Sequence, residues 1–430
     1  MSSLLANLGP LPDAGALPAA APILVLVPTS LARPCACGFA SSQNGDPKIL
    51  GIGIARRTVL ASRRAGYVHV FYLTPDDAVP PGITAIANWN GIEAASGTGE
   101  AMPLLIAPAA ILAETGWLER LARTRIEPTV WAASPGHIIV LRPTAVPEAL
   151  AALDAEGGAR GMTAVHDRLT WRFGPPAALP EGGDPMVVAA PADIRVAERR
   201  LLRALVKDTD GLMARHVERP ISLAISRVLA STTVTPNQIT LTSVAIGLAG
   251  APFFLSALAR WQTAGALLLL AHSILDGCDG ELARLKFQES RWGGILDFWG
   301  DNVVHSATFA CMAAGWSHAD GKAWPLLLGV AAVLGTLGSA GFVYWRVMRP
   351  KDDAGPLFTS VSTSPGRRLT LLLDALSRRD FIYLVVAFAL FGKANWFLLF
   401  TGLGAPTFFF LLVFLAARER AAKTSMPSSA

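Results

Sequence analysis

From Thr235 onward the chain runs through six long apolar segments, at about 239–258, 262–282, 294–315, 323–345, 381–392 and 396–416. A helix needs about 20 apolar residues to cross the hydrocarbon of a bilayer. Only structures that satisfy their own backbone hydrogen bonds survive there. These segments therefore restrict the second half of the chain to an all-α polytopic membrane domain of six transmembrane helices; the fifth reaches spanning length only if extended at its ends. The bulk composition agrees, with 52% apolar and 16% charged residues.

Charge placement orients the spans. Arg284, Lys286 and Arg291 lie between the second and third. Arg346, Arg349, Lys351, Arg367, Arg368, Arg378 and Arg379 lie between the fourth and fifth, and Arg418, Arg420 and Lys423 follow the sixth. The opposite loops hold Arg260, Lys322 and Lys393. The positive-inside rule then predicts a multi-pass protein of the cytoplasmic membrane, with the N-terminal domain and the C-terminus both in the cytoplasm.

Residues 1–192 have another character. Short apolar runs, ILVLV (23–27), YVHVFYL (67–73), ITAIAN (83–88), PTVWAA (128–133) and HIIVL (137–141), read as buried strands. Helical patterns at 55–66, 117–125 and 146–157 separate them. Alternation of this kind predicts an α/β layer domain with a mostly parallel sheet. The first apolar run lacks a basic n-region and reads as a strand rather than an export signal. Cys35, Cys37, Cys278 and Cys311 are too few for a disulfide scaffold and read as reduced thiols.

Between the halves, residues 193–234 carry Arg199, Arg200, Arg203, Lys207, Arg215, Arg219 and Arg227 interleaved with Leu, Val and Ile. That pattern predicts basic amphipathic helices on an anionic membrane surface. Residues 421–430 read as a flexible tail.

The most informative stretch is DGCDGELARLKFQESRWGGILDFWGD (276–301), set between two of the most apolar runs. The second span supplies Asp276 and Asp279, and the third supplies Asp297 and Asp301, four residues apart and so on one helical face. A short turn makes the two helices antiparallel, so these faces meet. An aspartate within an apolar span costs about 2.5–3.5 kcal/mol on insertion scales. Four converging carboxylates repel unless a cation or protons sit among them, and Arg284 alone cannot balance four. An all-oxygen set suits Mg²⁺ or Mn²⁺ rather than zinc. His272 and His305 flank the stretch and read as core or pocket-wall residues.

Asp276-x2-Asp279-Gly280-x2-Ala283-Arg284-x8-Gly293-x3-Asp297-x3-Asp301 resembles the signature of the CDP-alcohol phosphotransferase (CDP-alcohol phosphatidyltransferase) family at every defining position. TPNQIT (235–240) at the head of the first span is similar as well, and the resemblance extends over about residues 200–420. It implies transfer of a phospho-alcohol from a CDP-linked donor to an acceptor hydroxyl, with release of CMP. By position it implies two metal ions held by Asp276, Asp279 and Asp297, with Asp301 also in the metal set and serving as the general base. Gly280, Ala283 and Gly293 would leave room for the nucleotide, Arg284 would contact donor phosphate, and Asn237 would line the nucleotide pocket. A membrane-embedded homodimer is implied too.

The order of α/β domain, basic helix and spans resembles the bifunctional inositol-phosphate cytidylyltransferase/phosphotransferase proteins. DPKILGIGIARRTVLASRRAG (46–66) is similar to the lysine-bearing segment of their nucleotidyltransferase half, with Lys48 at the matching position. The chain departs from that half elsewhere. PTSLARPCACGFASSQNG stands where a glycine-rich phosphate loop is expected, and Gly136 stands before His137 where a metal-binding aspartate is expected. The expectation is a nucleotidyltransferase-like fold without that chemistry; the alternative is a bifunctional enzyme that makes its own CDP-alcohol from CTP. The donor is then CDP-diacylglycerol or a CDP-polyol. The acceptor is an alcohol that the cytoplasmic arginines could recognise through a phosphate, such as inositol phosphate or glycerol phosphate. Membrane lipid is an expected partner and nucleic acid is not. An ion-coupled transporter is the competing class, and it predicts carboxylates spread over several spans near the midplane rather than gathered at one end of two helices.

Overall fold

The structure is a computed structural model in which residues 22–27, 47–73, 83–86, 89, 92, 104–123, 131–134, 138–154, 162–179, 185–188, 190–206, 213–348 and 381–424 are described. The chain divides into two compact units, with the boundary between Arg203 and Ala204.

The first unit is a mixed α/β layer. Its strands are β1 (Ile23–Val27), β2 (Lys48–Ile49), β3 (Ile52–Gly53), β4 (His69–Leu73), β5 (Thr84–Ile86), β6 (Leu104–Pro108), β7 (Ile111–Leu112), β8 (Trp131–Ser134), β9 (Ile138–Leu141), β10 (Ala177–Ala178) and β11 (Met186–Val187). Seven of them form one sheet in the order β10-β8-β9-β6-β1-β4-β5. β1 pairs in parallel with β4 and β6, β4 with β5, and β8 with β10; β9 runs antiparallel to both β6 and β8. The sheet is thus mostly parallel.

Continuous apolar runs such as ILVLV suit strands covered on both faces, and Leu24, Val25, Leu26 and Val27 are all fully buried. The odd residues Ile23, Val25 and Val27 share a core with Leu150 and Leu153 of helix α3 (Val146–Asp154) and with Val165 and Leu169 of α4 (Met162–Phe173). Helices α1 (Ile54–Arg64) and α2 (Thr115–Ala122) pack on each other. Thr58 donates to the Ile111 carbonyl at 2.6 Å, and the Tyr67 hydroxyl donates to Leu118 at 3.0 Å.

The two-residue strands apart, two elements of the first unit, β6 and α4, are not expected from the sequence. The central strand β6 sits in MPLLIAPAAIL, too short and too close to prolines to stand out by period. Helix α4 has its polar and apolar residues mixed enough to blur a face. Helix α5 (Pro191–Arg203) falls in the first unit and packs against β2, with Ala197 fully buried and Arg200 Nε 3.5 Å from Glu114 Oε1. The unit boundary thus lies one helix beyond the 192/193 division drawn from composition. Lys48 is exposed at the start of a hairpin whose two loop residues, Leu50 and Gly51, both have positive φ, as a tight type I′ reversal requires. Cys35, Cys37, Lys207, Gly136, His137 and the segment between β1 and β2 lie outside the described residues.

The second unit is helical. Its helices are α6 (Arg219–Ala230), α7 (Pro236–Gly250), α8 (Ala259–Lys286), α9 (Arg291–Asp320), α10 (Trp324–Val343), α11 (Phe381–Leu390) and α12 (Phe397–Thr424). Thr235 caps α7 in a reciprocal box with Gln238, each side chain bonding the other's backbone N–H. Pro236 occupies the first helical position, where its missing N–H costs nothing.

Among the described residues, three helical stretches are long and apolar enough to cross a membrane: Pro236–Leu255, Trp324–Arg346 and Ala394–Arg418. Helices α8 and α9, of 28 and 30 residues, would each extend about 40–45 Å at 1.5 Å per residue. Their aspartates, Gln262 and His272 make them less apolar than the other three. Helix α11 is a shorter apolar helix. Helix α8 packs against α6, α7 and α11, and α9 packs against α7 and α10. Phe254, Leu269, Val304, Phe309, Met312, Val385 and Phe397 fill the core among them.

The turn from α8 to α9 holds the site together. Phe287 closes α8 in the left-handed conformation, with φ of 57°. Gln288 N–H returns to the Ala283 carbonyl at 2.9 Å. Ser290 then caps α9 by accepting from Gly293 N–H at 3.0 Å. So brief a link turns the chain back, which makes the end of α8 and the start of α9 neighbours.

Candidate metal centre

Asp276 and Asp279 project from α8 three residues apart, and Asp297 projects from α9. One carboxylate oxygen from each lies within 4.8 Å of the other two. Asp276 and Asp279 are only 4% and 6% exposed. At that separation each pair of ionised carboxylates repels by roughly 3–4 kcal/mol at an effective dielectric constant of about 20. A divalent cation among three such oxygens converts that repulsion into attraction, and hard carboxylate oxygen is the donor that Mg²⁺ and Mn²⁺ prefer. Oδ1 of Asp297 is buried with no hydrogen-bond partner, as a ligand atom would be. The residues therefore fit a metal.

The surroundings aim these groups. Thr240 of α7 donates its hydroxyl to Asp279 Oδ2, which orients that carboxylate. Asp301, one turn beyond Asp297 on α9, stands apart from the three-carboxylate set; its Oδ1 lies 3.4 Å from His272 Nε2.

The small residues sit where close approach is needed. A Cβ on Gly293 would lie 3.0 Å from Asn237 Oδ1 and 3.0 Å from Ser290 Oγ, so glycine lets these two side chains sit against the start of α9 without shifting. A Cβ on Gly280 would lie 3.4 Å from Arg284 Nη1. Ala283 and Arg284 are half-buried on the next turn of α8, and Asn237 is exposed at the mouth of α7. The structure thus brings Asn237 to Gly293 and Arg284 to Gly280, and gathers three of the four aspartates.

Residues 233–364 match the family model described as CDP-alcohol phosphatidyltransferase. That stretch, under a third of the chain, is similar to this family. Its relatives include two proteins named "Bifunctional IPC transferase and DIPP synthase". The one from Thermococcus kodakarensis is 41% identical over 127 residues, which is 29% of this chain and 28% of that protein. The one from Rubrobacter xylanophilus is 35% identical over 181 residues, 39% of this chain and 40% of that protein. An archaetidylinositol phosphate synthase of Pyrococcus horikoshii is 33% identical over 100 residues, 23% of this chain and 50% of its own length. The chain thus spans half or less of the length of each of these relatives.

Within the matched residues, three polar side chains lie outside the aspartate signature. Thr240 and His272 sit in apolar helices and acquire meaning only when α7, α8 and α9 meet. Glu281 is the third. It is fully buried on α8 and accepts from Arg219 Nη1 at 2.7 Å, Ser222 Oγ at 2.7 Å and Ser226 Oγ at 2.8 Å. All three donors belong to α6, which precedes the matched residues. Arg219, counted by sequence among the lipid-facing cations, is therefore paired inside the protein. Lys286 adds a second tie, donating to the carbonyls of Thr232 and Val234 at 2.7 Å each. A glutamate placed between Asp279 and Arg284 was the available signal, because a carboxylate there needs a partner. Of the arginines considered for acceptor recognition, Arg346 is half-buried. Arg349, Arg367, Arg368, Arg378 and Arg379 lie outside the described residues.

Proposed function

We propose that this protein is a membrane-embedded, divalent-metal-dependent CDP-alcohol phosphotransferase. It moves a phospho-alcohol or phosphatidyl group from a CDP-linked donor to an acceptor hydroxyl and releases CMP. The observation that carries this reading is the meeting of Asp276, Asp279 and Asp297 oxygens within 4.8 Å inside the matched domain. All four aspartates also lie near one end of two helices, which a transporter with carboxylates along its path would not favour.

Asp276, Asp279 and Asp297 hold the metal, Mg²⁺ or Mn²⁺, as one ion or a pair. Metal bound there supplies charge neutralisation on the donor pyrophosphate and on the leaving nucleotide phosphate. Asp301 lies one turn further along α9 and takes the proton of the acceptor hydroxyl as its oxygen attacks the phosphorus. The bond from that phosphorus to the bridging oxygen breaks, and CMP departs with the electron pair. Gly280, Ala283 and Gly293 leave the nucleotide room between helix backbones. Arg284 contacts donor phosphate, and Asn237 borders the base or ribose.

The unit spans the membrane with six helices, α7 to α12, with both termini cytoplasmic, and works as a homodimer. Support comes from three strongly apolar helices, two longer ones carrying the site and the arginine-rich loops. Helix α6 lies along the cytoplasmic surface; its outer side exposes Ile221, Val228 and Arg227, while Ser222 and Ser226 face inward. The donor is CDP-diacylglycerol or a CDP-polyol. The acceptor is an inositol-phosphate-like alcohol, a preference supported by the inositol phosphate product named for the Pyrococcus relative.

The first unit keeps a nucleotidyltransferase-like layer without that chemistry, because residues 28–45 lack the glycine-rich cradle and Gly136 replaces the expected aspartate. The bifunctional alternative is carried by the names of two relatives. The deciding experiment is CMP release by the detergent-solubilised full chain across a panel of CDP-alcohols and acceptors, with Mg²⁺, Mn²⁺ or chelator. Metal-dependent release with at least one pair is expected. No release from any pair, together with no metal-dependent binding of CDP, overturns the reading.

A further inference from the structure

The signature leaves one buried polar residue beside the reacting groups without a role. His272 lies on α8, one turn before Asp276, and is only 2% exposed. Its Nε2 is 3.4 Å from Asp301 Oδ1, and its Nδ1 is buried with no hydrogen-bond partner among the described residues. The ring fills a slot that α7 keeps open: a Cβ on Gly247 would lie 3.0 Å from His272 Cγ and 2.6 Å from Val304 Cγ1. A leucine would fill such a slot without burying an unpaired nitrogen, a burial that costs on the order of 1–3 kcal/mol. Packing therefore does not account for a histidine here, and the carboxylate across the helix interface does. Among the described residues Nδ1 has no acceptor to donate to, which places the ring hydrogen on Nε2, facing Asp301.

We infer that His272 is the positioning residue for Asp301: its Nε2–H holds Oδ1 and fixes the rotamer in which the carboxylate meets the acceptor hydroxyl. The inference rests on Asp301 being the base. At 3.4 Å the contact exceeds the 2.7–3.2 Å of a formed hydrogen bond, and contacts of this kind tighten when substrate completes the site. Across α8, the relation separates two jobs. Asp276 and Asp279 would hold the metal, and His272, one turn earlier on α8, contacts the base on α9. His272 stands outside the metal-holding set, so its loss should leave metal and nucleotide binding in place.

The test uses the full chain in detergent with His272→Leu, which fills the slot without a donor, and His272→Gln, whose amide can donate. His272→Leu should lower kcat about 10- to 100-fold, the usual cost of losing an orienting partner. KM for the CDP donor and calorimetric CDP affinity with Mg²⁺ should not move, and His272→Gln should recover most of the rate. Metal-free protein labelled at histidine supplies a second readout by NMR. The His272 signal, assigned by its absence in His272→Gln, should report the Nε2–H tautomer and shift in Asp301→Asn. Wild-type kcat in His272→Leu overturns the inference. So does equal loss of rate and CDP binding in both variants, which marks a merely structural residue. If wild-type protein releases no CMP, the proposed reaction fails, and the NMR shift alone then decides whether His272 and Asp301 are coupled.

Discussion

Arg219 Nη1 sits 2.7 Å from Glu281 Oε1, an ion pair whose carboxylate is wholly buried between α6 and α8. Ser222 and Ser226 complete the coordination of that carboxylate. The helix that carries Asp276 and Asp279 is thereby bolted, on another side, to the helix preceding the matched domain.

Removing one partner of this pair should cost far more than removing both. Arg219→Met leaves an uncompensated buried carboxylate and should destabilise the helical unit by about 3–5 kcal/mol, whereas Arg219→Met with Glu281→Leu should come close to neutral. Thermal unfolding in detergent measures both. Equal destabilisation by the single and the double variant would show that the pair is not what secures α6.

Metal removal should abolish turnover, and Asp276→Asn should reproduce much of that loss. With one of three converging oxygens neutralised, the metal-induced rise in Tm should shrink or vanish. Titration of Mn²⁺ into apo protein, followed by calorimetry, is the direct check.

Asp301→Asn should separate binding from chemistry. CDP affinity in the presence of Mg²⁺ should persist, while kcat falls by about 10²- to 10⁴-fold, the range of a general base. Unchanged turnover would remove Asp301 from that role.

Thr240→Val keeps shape but deletes the hydroxyl that holds Asp279. Metal affinity or activity should fall about 10- to 100-fold, with little change in Tm. A null effect on metal affinity would mean that α8 alone orients Asp279.

The first unit should be silent in nucleotidyl transfer. Full-length protein given CTP, Mg²⁺ and a panel of polyol phosphates should form no CDP-alcohol, as read by pyrophosphate release. Detection of CDP-alcohol would establish the bifunctional alternative.

The sequence by itself determined the parts whose physics is local or periodic. Long apolar runs specify helices, and ILVLV specifies a strand covered on both faces. Thr235-Pro236-x-Gln238 specifies a helix start. The spacings of the aspartates, two on α8 and two on α9, follow from one short turn and the helical period. Tertiary structure decided what depends on three helices meeting. It separated Asp301, beside His272, from the other three aspartates, and it turned Thr240 toward Asp279. It also paired Arg219 with Glu281. Neither Arg219 nor His272 announces its partner in the chain, because the partners lie 62 and 29 positions away. A buried charge or imidazole states only that it needs a partner; the packing of α6, α8 and α9 names which one.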